Sequence, residues 1–254
     1  MEEQDKFDFS EVFDVEEYMY FYGSGKKGAQ LQVDAVIQLL DLKETDIRIL
    51  DMPCGYGRHA NIFAERGFHV TGIDSSEGFL KIAREDKRSD NVDYICQDMR
   101  EIDYDSEFDM VMMLSGSFGY FSDEDNEKVI QGIAKALKPG GMFIMDNLSR
   151  DHLMKNFNAQ VVCRVNDDFM IDNNSFDFMS GRHKCKRTII RDGKLKEYDF
   201  FLRLYNINEL RALGEKYGLT LKQAYGDWQG NPYGVSSKRQ IALFEKRSRL
   251  KARI

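Results

Sequence analysis

The chain has 254 residues, 42% of them hydrophobic and 31% charged, so we expect it to fold around a sizeable core rather than remain disordered. Its formal net charge of -7 gives no electrostatic reason to expect nucleic-acid binding. No apolar run approaches the length that spans a bilayer, and the acidic N-terminal sequence lacks the features of a secretory signal, so we expect a cytoplasmic protein with no membrane partner.

The first 150 residues alternate between short apolar segments and helical patterns. Near-continuous hydrophobicity predicts strands that are covered on both faces, and strand-helix alternation predicts a parallel, doubly wound α/β sheet. A helix is predicted to begin at Ser122, which precedes three acidic residues, and to stop at the sequence KPGG. The predicted strands are IRILDM (47–52), FHVTGID (68–74), VDYICQD (92–98), FDMVMMLS (108–115) and GMFIMDN (141–147).

The pattern changes after Arg150. Short alternating segments from about 160 to 205, with the turn sequence RDGK, predict an antiparallel β insertion. Asn206 and Glu209 form the pattern of a capping box, which predicts a helix that ends at Gly218, and two strands are predicted after it. We therefore expect an N-terminal helical cap with the first helix (1–45), a nucleotide-binding core (46–150), the insertion (151–205) and a last helix with strands that complete the sheet (206–254).

The first two predicted strands end in residues that suit a ligand site. In doubly wound sheets, ligands bind at the carboxyl ends of the strands. The first strand delivers Asp51 and the turn PCGYG, in which Gly55 and Gly57 allow close backbone approach and a helix N-terminus directed at the ligand. The second strand ends in Asp74, a carboxylate that can accept hydrogen bonds from both hydroxyls of a ribose.

The next two strands complete a predicted nucleoside pocket. After the third strand, Asp98 is suited to accept a hydrogen bond from an exocyclic amine, and Met99 is suited to lie along a purine face. The fourth strand ends in LSGSFGYF, a run of small residues followed by aromatic ones.

A nicotinamide oxidoreductase is an alternative, because GYGRHA also fits the pattern G-x-G-x-x-A and Asp74 follows at an acceptable distance. Such an enzyme needs machinery for hydride transfer. The one Tyr-x-x-x-Lys sequence runs from Tyr22 to Lys26 and contains two glycines, so it makes a poor helical catalytic pair. The four cysteines are scattered without a CxxC pair, so no zinc cluster is predicted.

The ordered motifs resemble those of the class I S-adenosylmethionine-dependent methyltransferases over nearly the whole chain. The resemblance rests on ILDMPCGYGRHA, VTGIDSS, ICQDMREI, FDMVMMLSGSFGYF and IAKALKPGGMFIMDN, in this order and spacing. YMYFYG, SFGYF, RLYNINEL and GDWQGNPYGVSSKRQIAL are similar to a branch of small bacterial-type members. Pro53 stands where the family's usual motif has its first glycine. The resemblance implies a Rossmann-like seven-stranded sheet, S-adenosyl-L-methionine as cofactor and S-adenosyl-L-homocysteine as product.

The resemblance also implies roles for individual residues. Asp51 would lie near the ammonium of the cofactor, Asp74 at its ribose and Asp98 at its adenine amine. The complete implied cofactor set is Tyr18, Tyr22, Asp51, Pro53, Cys54, Gly55, Gly57, Arg58, Asp74, Ser75, Asp98, Met99, Leu114 and Ser115. The candidates on the substrate side are Tyr120, Tyr205, Trp228, Tyr233 and Arg239.

Several of these residues have a structural alternative. Tyr18 and Tyr22 fall at helical spacing, so an aromatic packing face is as good an explanation as a cofactor lid. Asp74 could instead cap the next helix. His59 is predicted to be structural, and His183, in the insertion, is a weak candidate for a catalytic base.

The resemblance implies direct transfer of a methyl group to a small molecule. The compact insertion and the negative charge suit a small molecule better than a nucleic acid. The segment after the fourth strand lacks acidic metal ligands, so we expect no metal requirement. A non-catalytic regulatory protein that binds S-adenosylmethionine stays open as an alternative. The basic C-terminal run, EKRSRLKARI, is expected to be a solvated tail.

Overall fold

The computed structural model describes residues 7–23 and 26–248. The first six residues of the acidic N-terminal segment and the last six residues of the basic tail, which include Arg249, Lys251 and Arg253, lie outside the described residues.

A seven-stranded sheet forms the centre of the fold, with the order β10-β11-β5-β4-β1-β2-β3. β1 pairs in parallel with both β2 and β4. The strands β2 and β3 are added on one side of β1, and β4 and β5 on the other, so the topological switch point lies between β1 and β4. β11 runs antiparallel to its neighbours β5 and β10. The strands are β1 (Arg48–Asp51), β2 (His69–Asp74), β3 (Val92–Cys96), β4 (Phe108–Met113), β5 (Leu137–Leu148), β10 (Leu219–Tyr225) and β11 (Arg239–Lys246).

Helices cover both faces of this sheet. They are α3 (Lys26–Leu39), α4 (Ala60–Glu65), α5 (Glu77–Arg84), α6 (Asp123–Ala136) and α8 (Ile207–Lys216), with a 3-10 turn (Ser89–Asn91) before β3 and a short helix α7 (Arg150–Lys155) after β5. Successive residues of β1 enter different layers: Ile49 packs with residues of α3 and α4, and Leu50 packs with residues of α6 and α8. This alternation follows from the two-residue period of a strand and explains why β1 is apolar at every core position.

A second, four-stranded antiparallel sheet has the order β6-β7-β8-β9. Its strands are β6 (Gln160–Val165), β7 (Asp168–Asp177), β8 (Arg182–Arg191) and β9 (Lys194–Arg203). Asp192 and Gly193 have φ of 51° and 72°, which is the backbone that the predicted RDGK hairpin turn requires.

The N-terminal helices α1 (Phe9–Val12) and α2 (Val15–Tyr22) pack on the second sheet. Val12 and Phe21 share a small apolar core with Met170 and Ile189 of the sheet. The hydroxyl of Tyr20 donates to Asp168 Oδ2 at 2.6 Å, and Arg191 pairs with Glu16 at 2.7 Å. The N-terminal segment and the insertion therefore form one cover, although they are distant in sequence.

The doubly wound α/β fold and the antiparallel insertion confirm the predicted fold class. The capping box of Asn206 and Glu209 forms as predicted at the start of α8. The largest boundary difference is at β5, which begins at Leu137 rather than at Gly141, so the helix before it ends at Ala136 and KPGG lies within the first part of the strand. In the described part of the chain, no helix combines the length and the apolar character that crossing a membrane requires.

Candidate functional site

A cavity of about 880 Å³ lies where the parallel strands end and the second sheet and the N-terminal helices cover them. Its volume falls within the range of roughly 300–1,000 Å³ typical of small-molecule sites. The strand-end half is lined by Pro53, Cys54, Gly55, Arg58, Asp74, Ser75, Asp98, Met99, Leu114 and Ser115 with their neighbours. The cover half is lined by Phe9, Ser10, Val12, Phe13, Tyr18, Tyr22, Tyr120, Phe121, Leu148, Arg187, Phe200 and Leu202.

The two glycines of the first loop have different surroundings. Gly55 has φ of +54°, lines the cavity, and has open space where a Cβ would point. Gly57 has φ of +71°, and a Cβ there would lie 2.1 Å from the hydroxyl oxygen of Tyr94. Gly57 is not among the lining residues, so the structure places it against the core. The peptide bond between Met52 and Pro53 is cis.

Asp51 lies buried behind the first loop, with 1% of its surface exposed, and is not among the residues that line the cavity; Arg58 and Ser115 of the same predicted set are. Its Oδ2 has no hydrogen-bond partner within the described part of the chain. Burial raises the pKa of Asp51 to about 8, against the opposing influence of the Arg58 charge. Arg58 lines the cavity and donates to the Ser115 hydroxyl. Among the described residues, none offers Arg58 a carboxylate within ion-pair distance.

The ends of β2 and β3 each place a carboxylate in the cavity wall. Asp74 accepts from the backbone of Ser76 at 2.9 Å through Oδ1 and from the backbone of Gly55 at 2.8 Å through Oδ2. Burial nevertheless raises the pKa of Asp74. Asp98 is less buried, and the hydrogen bonds and charge of Arg100 outweigh its desolvation and lower its pKa. That pair is forked, with contacts of 3.0 and 2.6 Å.

The end of β4 turns sharply at Ser115, a non-glycine residue with φ of +70°. Asp146, on β5, holds this turn: its Oδ2 accepts from the backbone of Ser115 at 3.1 Å, and its carbonyl accepts from Gly116 at 2.8 Å. Its Oδ1 accepts from Arg239 Nε at 2.7 Å. The predicted residues Leu114, Ser115 and Arg239 thus line one cavity wall whose shape depends on a buried carboxylate.

Aromatic side chains dominate the cover half. The ring of Tyr18 lies 4.9 Å from that of Tyr22 and 5.3 Å from that of Phe79, and burial raises the pKa of both tyrosines. The ring of Tyr120 lies 5.3 Å from that of Phe13. Both the lid and the packing explanations of Tyr18 and Tyr22 are compatible with this position, because the two rings pack together and also face the cavity.

Three substrate-side candidates do not line the cavity. Tyr205 packs on Phe118 at 5.2 Å. Trp228 is partly buried against the layer of α3 and α4. The hydroxyl of Tyr233 lies 3.0 Å from that of Ser149, at the start of α7.

The two histidines that the sequence singles out differ in their position relative to the cavity. His183, on β8, is not among the lining residues; its ring lies 6.3 Å from that of Phe157, and burial lowers its pKa. His59 borders the cavity and lies 2.7 Å from the side-chain oxygen of Gln32, a contact in which Nε2 donates. Burial lowers the pKa of His59 to about 3, so it stays neutral and structural.

Sequence reasoning missed Arg187 and several rings of the cover half. Arg187 lies within the basic strand KCKRTIIR, where no sequence signal separates it from its exposed neighbours. Within residues 7–23 and 26–248, no group of three or more His, Cys, Asp or Glu side chains is placed to hold a metal ion.

Comparisons with known proteins find similarity to methyltransferases. A family described as "Methyltransferase domain" matches residues 49–141. The putative methyltransferase YqeM of Bacillus subtilis is 27% identical over 212 residues, which cover 78% of this chain and 84% of that protein.

Two solved structures show the same fold. An S-adenosylmethionine-dependent methyltransferase from Clostridium acetobutylicum has a TM-score of 0.76 and 20% identity, and the match covers 94% of this chain and 98% of that one. CalS10, an amino pentose methyltransferase from Micromonospora echinaspora, has a TM-score of 0.65 and 18% identity, with 97% and 100% covered. The chain therefore carries a match to a methyltransferase domain over residues 49–141, is similar over most of its length to a putative methyltransferase, and has the fold of S-adenosylmethionine-dependent methyltransferases.

Proposed function

We propose that this protein transfers the methyl group of S-adenosylmethionine to a small-molecule acceptor that binds in the cover half of the cavity. The observation that carries the proposal is a cavity in which strand-end polar groups face an aromatic cover. The strand-end groups suit the cofactor, and the enclosed cover suits a small acceptor.

Asp51 and Arg58 fit the amino-acid part of the cofactor. An α-amino acid presents an ammonium and a carboxylate close together. No described residue forms a hydrogen bond with Oδ2 of Asp51, which is buried beside the cavity loop, and Arg58 offers guanidinium donors at the cavity wall. Because an ammonium beside Asp51 would favour its charged form, ligand binding would oppose the desolvation that raises the pKa of this residue.

Asp74, Asp98 and Met99 fit the nucleoside part. Each oxygen of Asp74 accepts one backbone hydrogen bond, so each keeps a lone pair for a ribose hydroxyl. Asp98 is oriented by Arg100 and stays ionised, which suits an acceptor for an exocyclic amine. Gly55 contributes space rather than a side chain, because it lines the cavity and a Cβ at this position would meet no atom within 4 Å.

The bound cofactor supplies an electrophilic methyl group on a sulfonium. The protein therefore has to align the acceptor and exclude water, and alignment of this kind can contribute roughly 7–11 kcal/mol. Tyr18, Tyr22 and Tyr120 close the cavity over the strand ends, and the insertion at 151–205 completes the cover. We assign no catalytic base, since His183 lies outside the cavity lining.

We also propose that transfer needs no metal ion. The two carboxylates in the cavity wall already have partners: Asp74 holds two backbone amides and Asp98 holds Arg100. Turnover should continue undiminished in EDTA. Strict dependence on magnesium would contradict this part of the proposal.

The acceptor class is supported by the enclosed cover and by the solved structure of CalS10, which acts on an amino pentose. The proposal is tested by a metabolite library in which release of S-adenosylhomocysteine is measured. We expect one or a few small molecules to give turnover. Cofactor binding without turnover on any library member would instead favour a regulatory protein.

A further inference from the structure

Arg187 is the charged side chain that the insertion contributes to the cavity. It lies on β8 with only 7% of its surface exposed, and it lines the cover half. Its neighbours in the strand, Cys185 and Ile189, are also buried, whereas Lys184 and Lys186 face solvent on the other side of the sheet. The alternation of the strand thus directs one of several basic residues inward.

Asp172, on β7, fixes the orientation of the Arg187 guanidinium. Nε donates to Asp172 Oδ1 at 2.6 Å, and one terminal nitrogen donates to Oδ2 at 2.7 Å. This fork uses two of the five N–H donors of the guanidinium and leaves three, beside which the hydroxyls of Tyr22 and Tyr198 also lie. The Phe200 ring lies 5.0 Å from the guanidinium carbon, and the Tyr22 ring lies 5.9 Å from it.

A buried ion pair of this kind is weak evidence for stability, because desolvation offsets most of its attraction. Its position at a ligand cavity suggests a role in binding instead. Within the described lining of the cover half, Arg187 is the one residue with a charged side chain, and the other residues are aromatic, aliphatic or hydroxyl-bearing.

The wider charge pattern points the same way. Four guanidinium groups and two carboxylates are present among the described lining residues: Arg58, Arg100, Arg187 and Arg239 against Asp74 and Asp98. The cover half offers no carboxylate to receive a protonated amine. An aromatic enclosure with an oriented guanidinium suits an apolar ring that bears an anionic, planar group.

Resting on the proposed function, we propose that Arg187 selects an acceptor that carries a carboxylate on an aryl or arylalkyl body. Asp172 holds the guanidinium, whose remaining donors bind the carboxylate. Tyr22 lines the cavity beside the same guanidinium, with its ring 5.9 Å from the guanidinium carbon. The rings of Phe13, Tyr120 and Phe200 pack around the body of the acceptor.

The test measures binding to the full chain saturated with S-adenosylhomocysteine. A panel of aryl and arylalkyl carboxylates, each with its primary amide, is titrated by calorimetry. We expect at least one acid to bind roughly ten- to a hundredfold more tightly than its amide, because the amide loses the charge-assisted hydrogen bonds. Equal binding of acid and amide across the panel would overturn the inference.

Variants then assign this preference to Arg187. Arg187→Gln should abolish the preference for acid over amide, and Arg187→Lys should weaken it, because lysine keeps the charge but loses the fork. Lys186→Gln removes a charge from the outer face of the same strand and should leave the preference unchanged. A preference that survives in Arg187→Gln would overturn the inference.

Affinity for S-adenosylhomocysteine separates this inference from the proposed function. If the wild-type protein does not bind S-adenosylhomocysteine, the proposed function fails. If the wild type and Arg187→Gln bind it equally well and neither distinguishes acid from amide, the assignment to Arg187 fails alone. Should Arg187→Gln not fold, Arg187→Lys and the wild-type comparison of acid with amide decide the matter.

Discussion

The two halves of the cavity are built by different means. The strand-end half consists mainly of residues at the ends of β1, β2, β3 and β4 or in the loops that follow them, so most are placed by the end of a neighbouring strand. The cover half is assembled from α1, α2, the segment after β4 and the strands β8 and β9, which lie far apart in sequence. Cavity residues at the ends of parallel strands can therefore be predicted from the local sequence. Cavity residues in the cover depend on packing between segments that are distant in sequence.

The largest expected effect lies in the strand-end half. Asp74→Ala removes a carboxylate that orients two backbone amides and, in our account, binds the ribose. Loss of two charge-assisted hydrogen bonds, at roughly 1.5–3 kcal/mol each, predicts a fall in affinity for S-adenosylhomocysteine of at least about a hundredfold. Calorimetry measures the change. Asp177→Ala, on the insertion, is a matched control that should leave the affinity unchanged.

The two glycines of the first loop sharpen the distinction between binding and packing. Gly57→Ala brings a Cβ against the Tyr94 side chain, and we expect a loss of about 2–4 kcal/mol in unfolding free energy from overpacking and a left-handed backbone. Gly55→Ala meets no atom, so its cost in stability should be limited to about 1–2 kcal/mol of backbone strain.

Denaturant unfolding measures both variants, and cofactor affinity is measured beside it. We expect Gly55→Ala to weaken binding by more than its stability loss explains. Equal stability losses in the two variants would contradict the separation of their roles.

The proton balance of binding tests Asp51. In the unliganded protein its pKa is about 8, so it is largely protonated at pH 7. An ammonium beside it lowers that pKa, so binding should release a proton, and affinity should rise with pH up to about 8 and then level off. The slope is at most tenfold per pH unit for one proton. Calorimetry in buffers of different ionisation enthalpy measures the release, and Asp51→Asn should abolish the contribution of this residue.

The smallest expected effect lies in the cover. Tyr20→Phe removes the hydrogen bond from Tyr20 to Asp168, which joins α2 to the insertion. We expect a loss of about 1 kcal/mol in unfolding free energy, and a higher KM for the acceptor with unchanged affinity for S-adenosylhomocysteine. A variant that weakened cofactor binding as strongly as acceptor binding would show that the two halves are not independent.

The difference between the two halves of the cavity explains which site residues can be predicted from the sequence. Asp74, Asp98, Leu114 and Ser115 were expected at the cavity because they follow apolar strands, and the structure brings them together there. Gly57 belongs to the glycine motif after β1 but packs on Tyr94. The motif indicates a sharp turn and does not specify which of its glycines lines the cavity.

Which residues of the cover face the cavity could not be predicted from the sequence, for physical reasons. The loop after β10 closes on itself through Asp227, whose carboxylate accepts from Gln229 and Asn231. Trp228, in this turn, packs against the layer of α3 and α4, and Tyr233, after it, contacts Ser149. Arg187 is separated from its basic neighbours only by the face of the sheet on which it lies, which the sequence of β8 alone does not specify. The narrower resemblance of SFGYF to one branch of the family stays a prediction.

The segment SFGYF nevertheless has a structural reason for its glycine. Gly119 has φ of +112°, and a Cβ there would lie 2.2 Å from the carbonyl oxygen of Arg203. The carbonyl of Gly119 accepts from the backbone of Arg203 at 2.8 Å. This contact ties the loop after β4 to the end of β9, and so joins the strand-end half to the cover.

Calorimetric titration of the full chain with S-adenosylhomocysteine, with NAD titrated in parallel, tests the central claim most directly. We predict saturable binding of one S-adenosylhomocysteine per chain, lost in Asp74→Ala, and no comparable binding of NAD. A folded protein that binds NAD tightly, or that binds neither compound, would contradict the account.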